Sequence, residues 1–242
     1  MNQIIKRQAR YAGALYLLVA LTAPIGLIVV PGRLFDFSNA AATVAHLVGQ
    51  EGWARLGMAS ELFHQVVEVF MVLALYDLFR PVNASLARQM AVLGLLPIPI
   101  VFLNVLNEVA ALLLAHGAGP LAALGQAQGG ALALLFLHLH ASGLQLAAVF
   151  WGLWLLPLGR LMSTCGFMPR AIGWLVVGAG CGYIAGSITA LIVPSLQDAL
   201  SLPVLVLELG EPVMILWLAI VGARVPKAAA PVVARTVAAE GR

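Results

Sequence analysis

Six stretches of at least twenty residues run almost without charge through this chain, at about 11–30, 56–79, 89–115, 131–158, 171–193 and 203–223. A helix that crosses the hydrocarbon core of a bilayer needs roughly 20 mainly apolar residues. Lipid offers no partner to an unsatisfied backbone group, and these runs are too long and continuous for barrel strands. They predict an all-α fold, a six-helix transmembrane bundle. Composition agrees: 62% of residues are hydrophobic and 10% charged, against about 25% charged in soluble domains. So few charges cannot solvate a water-facing surface, so membrane lipids are the expected solvent. The length fits one bundle, expected at 1–225, followed by a disordered tail at 226–242.

The charges that remain orient the bundle. Lys6, Arg7 and Arg10 precede the first run. Arg80 and Arg88 separate the second from the third, and Arg160 and Arg170 the fourth from the fifth. Arg224, Lys227, Arg235 and Arg242 follow the sixth. Eleven of the 13 Lys and Arg thus lie on one side, with Arg33 and Arg55 on the other. The positive-inside rule then predicts both termini in the cytoplasm. The basic start imitates a signal peptide, but Val30-Pro31-Gly32 follows in place of a small-x-small cleavage site, so a retained first span is expected. Net charge of +3 reflects these helix-end residues; without a basic patch, nucleic acid is excluded as a partner. Cys165 and Cys181 have neither metal-ligand nor disulfide spacing and read as ordinary thiols. In the first loop, Ser38 or Asn39 can cap a short helix whose apolar face carries Ala42, Val44, Leu47 and Val48.

Three motifs carry a family resemblance. Leu75-Tyr76-Asp77-Leu78-Phe79-Arg80-Pro81-Val82-Asn83 follows the second span. Phe150-Trp151-Gly152-Leu153-Trp154, then Leu158-Gly159, lies in the fourth. Gly166-Phe167-Met168-Pro169-Arg170-Ala171-Ile172-Gly173, then Gly180-Cys181-Gly182-Tyr183, opens the fifth. Together they resemble the DUF4386 family of bacterial membrane proteins. The resemblance implies a six-span bacterial membrane protein and no particular reaction; with the predicted orientation, the bacterial inner membrane is the expected location. From the residues alone, Arg80-Pro81 and Pro169-Arg170 read as helix ends at the headgroups.

Five glutamates lie inside the apolar runs: Glu61, Glu68, Glu108, Glu208 and Glu211. An ionisable group within a membrane is costly and marks a functional site by default. Helical spacing groups it with other polar residues. Glu61, His64, Gln65 and Glu68 share one face, as do Asn104, Asn107 and Glu108; His138, Ser142 and Gln145; and Glu208 with Glu211. Counted from the flanking charges, most of these lie in the outer half of the bundle. One outward-facing interior cavity holding all four stripes is the expectation. His140 sits two residues from His138, about 200° around a helix, so only one of the two can face a given ion. Pro97 and Pro99 interrupt the third span, and Pro212 leaves the carbonyl of Glu208 without its helical donor. Such breaks are tolerated where backbone lines a cavity, and many are simple kinks.

The plain reading of each stripe is an interhelical tie worth about 0.6 kcal/mol. Five glutamates with histidines at one depth exceed what ties require. One sharper reading is a metal site. Glu61-Leu62-Phe63-His64 is a Glu-x-x-His pair, as in di-iron bundles, although those need a second copy. Glu61, His64, Glu108 and His138 make a mixed N/O set suited to a divalent metal (zinc, iron or manganese), and metal-bound water would serve an enzyme acting on a lipid-like substrate. Haem suits an acid-lined pocket poorly. The other sharper reading binds a cation or small cationic ligand, favoured by the excess of acids over bases, with Glu61, His64, Glu68, Asn104, Asn107, Glu108, His138, Gln145, Glu208 and Glu211 as candidate contacts. Trp151 and Trp154 add possible cation–π surface. A structural or regulatory subunit is the third reading, with the stripes facing a partner. The acid excess, set against an incomplete ligand motif, favours cation binding. Gly178, Gly182 and Gly186 form a small-residue face, expected to pack helices, with a homodimer as the alternative use.

Overall fold

The computed structural model describes residues 2–224; the tail expected at 226–242, with Lys227, Arg235 and Arg242, lies outside the described residues. No strand occurs among them. Six helical segments are long and apolar enough to cross a membrane, as expected: Gln3–Leu34, Glu51–Phe79, Ala84–His116, Gly119–Thr164, Arg170–Leu191 and Pro194–Val221. The outward surface is itself apolar. Leu21, Phe63, Phe70, Leu103, Leu106 and Trp174 all point out of the bundle, as lipid-facing side chains do when no water must be pleased.

The first segment is α1 (Asn2–Pro24), a π-turn (Ile25–Val29) and α2 (Val30–Leu34). Pro24 has no N–H for the carbonyl of Ala20, and the ladder re-pairs with one extra residue just beyond it. The short α3 (Ala40–Gly49) follows, capped by Asn39, whose Oδ1 accepts from Ala42 N at 3.0 Å. It buries Thr43 and Leu47, while Val48 of the expected face stays exposed. Then come α4 (Glu51–Phe79), α5 (Ala84–Leu95) and α6 (Pro97–His116); Asn83, the last residue of the first family motif, caps α5 through Leu86 N at 3.0 Å. Pro97 and Pro99 mark the α5–α6 joint. The 40-residue α7 (Gly125–Thr164) is about 60 Å long, so it projects beyond a hydrocarbon core of about 30 Å. The sixth segment breaks at Leu209, between α9 (Gln197–Glu208) and α10 (Gly210–Leu216), just ahead of Pro212.

The fifth span, α8 (Arg170–Leu191), shows why its glycines are there. A Cβ on Gly173 would lie 2.5 Å from Gly159 O and from Ser163 N; one on Gly180 would lie 2.7 Å from Gly152 O. α7 and α8 therefore touch backbone to backbone at two levels. The face carrying Gly178, Gly182 and Gly186 packs on α9, through Leu207 and Val204. A homodimer through that face would need α9 to leave it.

The two ends of the bundle differ. At one end Arg10 donates to Ile220 O at 2.9 Å, Arg224 N donates to Phe167 O at 2.8 Å, and Phe79 stacks on Phe167. At the other, Arg33 donates to Gln50 at 2.7 Å and covers the Trp53 ring, while Glu51 pairs with Arg55 and His116. Asp36 accepts from Ser38 in the loop there, which holds its carboxyl below the usual range.

Candidate functional site

The polar stripes do not meet in one cavity. They gather at two places along α4, and this corrects the single space expected from their shared depth. Glu61, His64, Gln65 and Glu68 are all buried on one face of α4, as their spacing requires. That face is about 10 Å long, however, and its two ends meet different neighbours.

At the Glu61 end, α4, α6 and α7 bring three side chains together. His140 Nε2 lies 3.3 Å from Glu61 Oε1 and 3.9 Å from Glu108 Oε1. Glu61 is 0% exposed, His140 2% and Glu108 3%. One ligand atom from each lies within 4.8 Å of the others. The imidazole is set from behind by Asn104. Its Nδ2 donates to His140 O at 2.8 Å, and its main-chain carbonyl lies 3.3 Å from His140 Nδ1. Nδ1 also lies 3.2 Å from Asn104 Nδ2; in the tautomer with the proton on Nδ1, given to the carbonyl, the Nε2 lone pair faces the two carboxylates. Asn107 donates to Asn104 Oδ1 at 3.0 Å and steadies the arrangement.

Two glycines make room. A Cβ on Gly143 would collide with the Asn104 carboxamide, and a Cβ on Gly26, in the π-turn, would fall 2.6 Å from Glu61 Cγ. Both Glu61 oxygens, Glu108 Oε2 and His140 Nε2 are buried without a hydrogen-bond partner among the described residues. A buried polar atom left unpaired costs about 1–3 kcal/mol, more for a charged one. Glu61 Oε1 and His140 Nε2 face each other at 3.3 Å, but Glu61 Oε2 and Glu108 Oε2 are left without a donor among the described residues.

His138 lies elsewhere. It is exposed, with its ring 4.7 Å from that of Phe37. Ser142 is exposed too, and Gln145 is half-buried without a hydrogen bond among the described residues. The buried cluster contains His140 and not the expected His138, because the expectation followed the polar stripe of α7. Packing follows the small residues instead: Ala133, Leu137, His140 and Ala147 form the buried face, with Gly143 beside it. His64 also leaves the expected metal set. Its Nδ1 lies 3.0 Å from Ser60 O, and its Nε2 accepts from Gln65 at 2.9 Å.

At the Glu68 end, a cavity of about 450 Å³ opens between α1, α4, α7, α8 and the broken sixth span. His64, Glu68, Glu208 and Glu211 line it, but none of Glu61, Glu108 and His140 does. Gln65 donates to Glu68 Oε2 at 3.0 Å. Glu211 accepts from Tyr16 and, at 2.8 Å, from Tyr183. The sequence reading missed both tyrosines; their signal was a hydroxyl placed inside an otherwise apolar run. Leu209 and Pro212, at the helix break, form part of the wall.

The domain of unknown function DUF4386 matches residues 11–222. The chain belongs to this family. Neither the curated proteins nor the solved structures compared with it give a significant match. The DUF4386 motifs have structural work here: Asn83 caps α5, Gly152, Gly159, Gly173 and Gly180 let α7 meet α8, and Trp151, Trp154 and Tyr183 line the cavity.

Proposed function

We propose that this DUF4386 protein is a bacterial inner-membrane protein that binds a divalent metal ion within the bundle, through Glu61, Glu108 and His140. The observation that carries the reading is the fully buried Glu61, Glu108 and His140 donor set, with carboxylate oxygens left unpartnered among the described residues. Ligands about 2.1 Å from a shared ion lie at most about 4.2 Å apart; the separations from Nε2 are 3.3 and 3.9 Å, and the three donor atoms all lie within 4.8 Å of one another. Two carboxylates and one imidazole suit zinc, iron or manganese. The competing arrangement is a hydrogen-bonded tie between helices. One imidazole proton shared between two ionised carboxylates would still leave Oε2 of both glutamates without a donor. The reading is for binding, not turnover, because the donor atoms are walled off from the cavity.

Elemental analysis of protein purified without chelator is the test. About one equivalent of zinc, iron or manganese per chain is expected. Stripping it with a chelator should lower the melting temperature, since a ligand at 100 times its Kd adds about 2.7 kcal/mol. Binding should also weaken as pH falls, because protons compete for the same lone pairs. A metal-free protein whose melting temperature ignores added metal would refute the reading. Asn104→Leu or Gly143→Ala, each disturbing the support behind His140, is expected to weaken metal affinity about 10–100-fold in a competition titration; unchanged affinity would count against that role.

Both termini are placed in the cytoplasm in this reading, on the strength of the basic residues gathered at that end. A reporter active only in the cytoplasm should work when fused to the C-terminus. Activity of a periplasm-only reporter there would reverse the orientation.

A further inference from the structure

The cavity beside Glu68 has a chemistry of its own. Its volume of about 450 Å³ falls in the ligand-pocket range of about 300–1,000 Å³. Glu68, Glu208 and Glu211 line it, whereas no Lys or Arg does among the described residues. Glu68 is 5% exposed; Gln65 holds its Oε2, and its Oε1 has no hydrogen-bond partner among the described residues. Trp151 and Trp154 supply the aromatic wall, and the rest is largely aliphatic. At the rim, Ile28, Leu205 and Leu209 are 67%, 56% and 55% exposed, on helices whose outer surface is apolar. The mouth therefore opens sideways, towards acyl chains.

We infer that this cavity is a second site, independent of the metal, which takes a lipophilic amine entering from the bilayer. The charged head is recognised by Glu68 and the neighbouring acids, with cation–π contact from the indoles. The tail lies against the aliphatic wall and leaves through the rim. A free inorganic cation would leave the apolar wall unused, and a fatty acid would set a carboxylate against three glutamates.

The test uses the full chain in phosphatidylcholine nanodiscs, titrated with dodecylamine, dodecanol and dodecanoate. Tryptophan fluorescence and calorimetry report binding. Saturable binding of one dodecylamine per chain is expected, at least tenfold tighter than dodecanol, with no dodecanoate binding. Glu68→Gln should weaken it at least tenfold, and Ala23→Phe, which fills the cavity from α1, should abolish it. His140→Ala should leave it unchanged, which separates this site from the metal. Should Glu68→Gln fail to fold, Glu208→Gln, at a half-exposed position, gives the same comparison. Equal binding of dodecanol would reduce the cavity to an acyl-chain slot and overturn the inference. So would full amine binding in a folded Glu68→Gln protein, or no saturable binding at all.

Discussion

Replacing His140 with alanine should remove the bound metal, while the same change at His138 should leave it in place. The two residues are neighbours on one face-alternating stretch of α7, so the pair is a stringent control. His140 offers its Nε2 to Glu61 and Glu108 from a buried position, and Asn104 fixes the ring. His138 packs on Phe37 at the exposed side. With three protein ligands, loss of one is expected to exceed the 10–100-fold cost of losing an outer partner such as Asn104. Metal content by elemental analysis should fall from one equivalent to near zero in His140→Ala and stay at one in His138→Ala. The reverse pattern would move the site to the exposed face of α7.

The second large effect concerns the α7–α8 contact. Gly173→Ala is expected to lower stability by about 1–3 kcal/mol, the usual range for overpacking. The added methyl would meet main-chain atoms of Gly159 and Ser163 at 2.5 Å, and backbone cannot turn aside as a side chain can. Gly178→Ala supplies the contrast. Its methyl would sit 3.5 Å from Leu207 Cδ2, an ordinary contact. There the gain in helix propensity, up to about 1 kcal/mol, should dominate. Melting in detergent should therefore shift down for Gly173→Ala and hold or rise for Gly178→Ala. Equal shifts would mean that the backbone contact is looser than described.

The contrast between these glycines also shows what the sequence can reveal. The apolar runs give six spans directly, because lipid imposes length and composition on every crossing helix. The stripe of α4 is equally legible: Glu61, His64, Gln65 and Glu68 are buried together as their spacing demands. Its partners are not. Whether α7 turns His138 or His140 inwards depends on which small residues approach α6, and polar periodicity says nothing of that. The split into two sites is hidden for the same reason. It follows from Gly26 and Gly143 admitting Glu61 and Asn104 at one level, and from the Leu209 break bringing Glu211 to Tyr16 and Tyr183 at the other. Glycine spacing pointed to the α8 face at Gly178, Gly182 and Gly186, yet the backbone contact with α7 uses Gly173 and Gly180, which only the partner helix identifies.

Anomalous diffraction from crystals of the metal-loaded protein, recorded on either side of the absorption edge of the bound element, tests the central claim most directly. The account predicts one strong peak about 2.0–2.2 Å from Glu61, Glu108 and His140 Nε2. A peak ligated by His64 or His138, or no peak within the bundle, would contradict it.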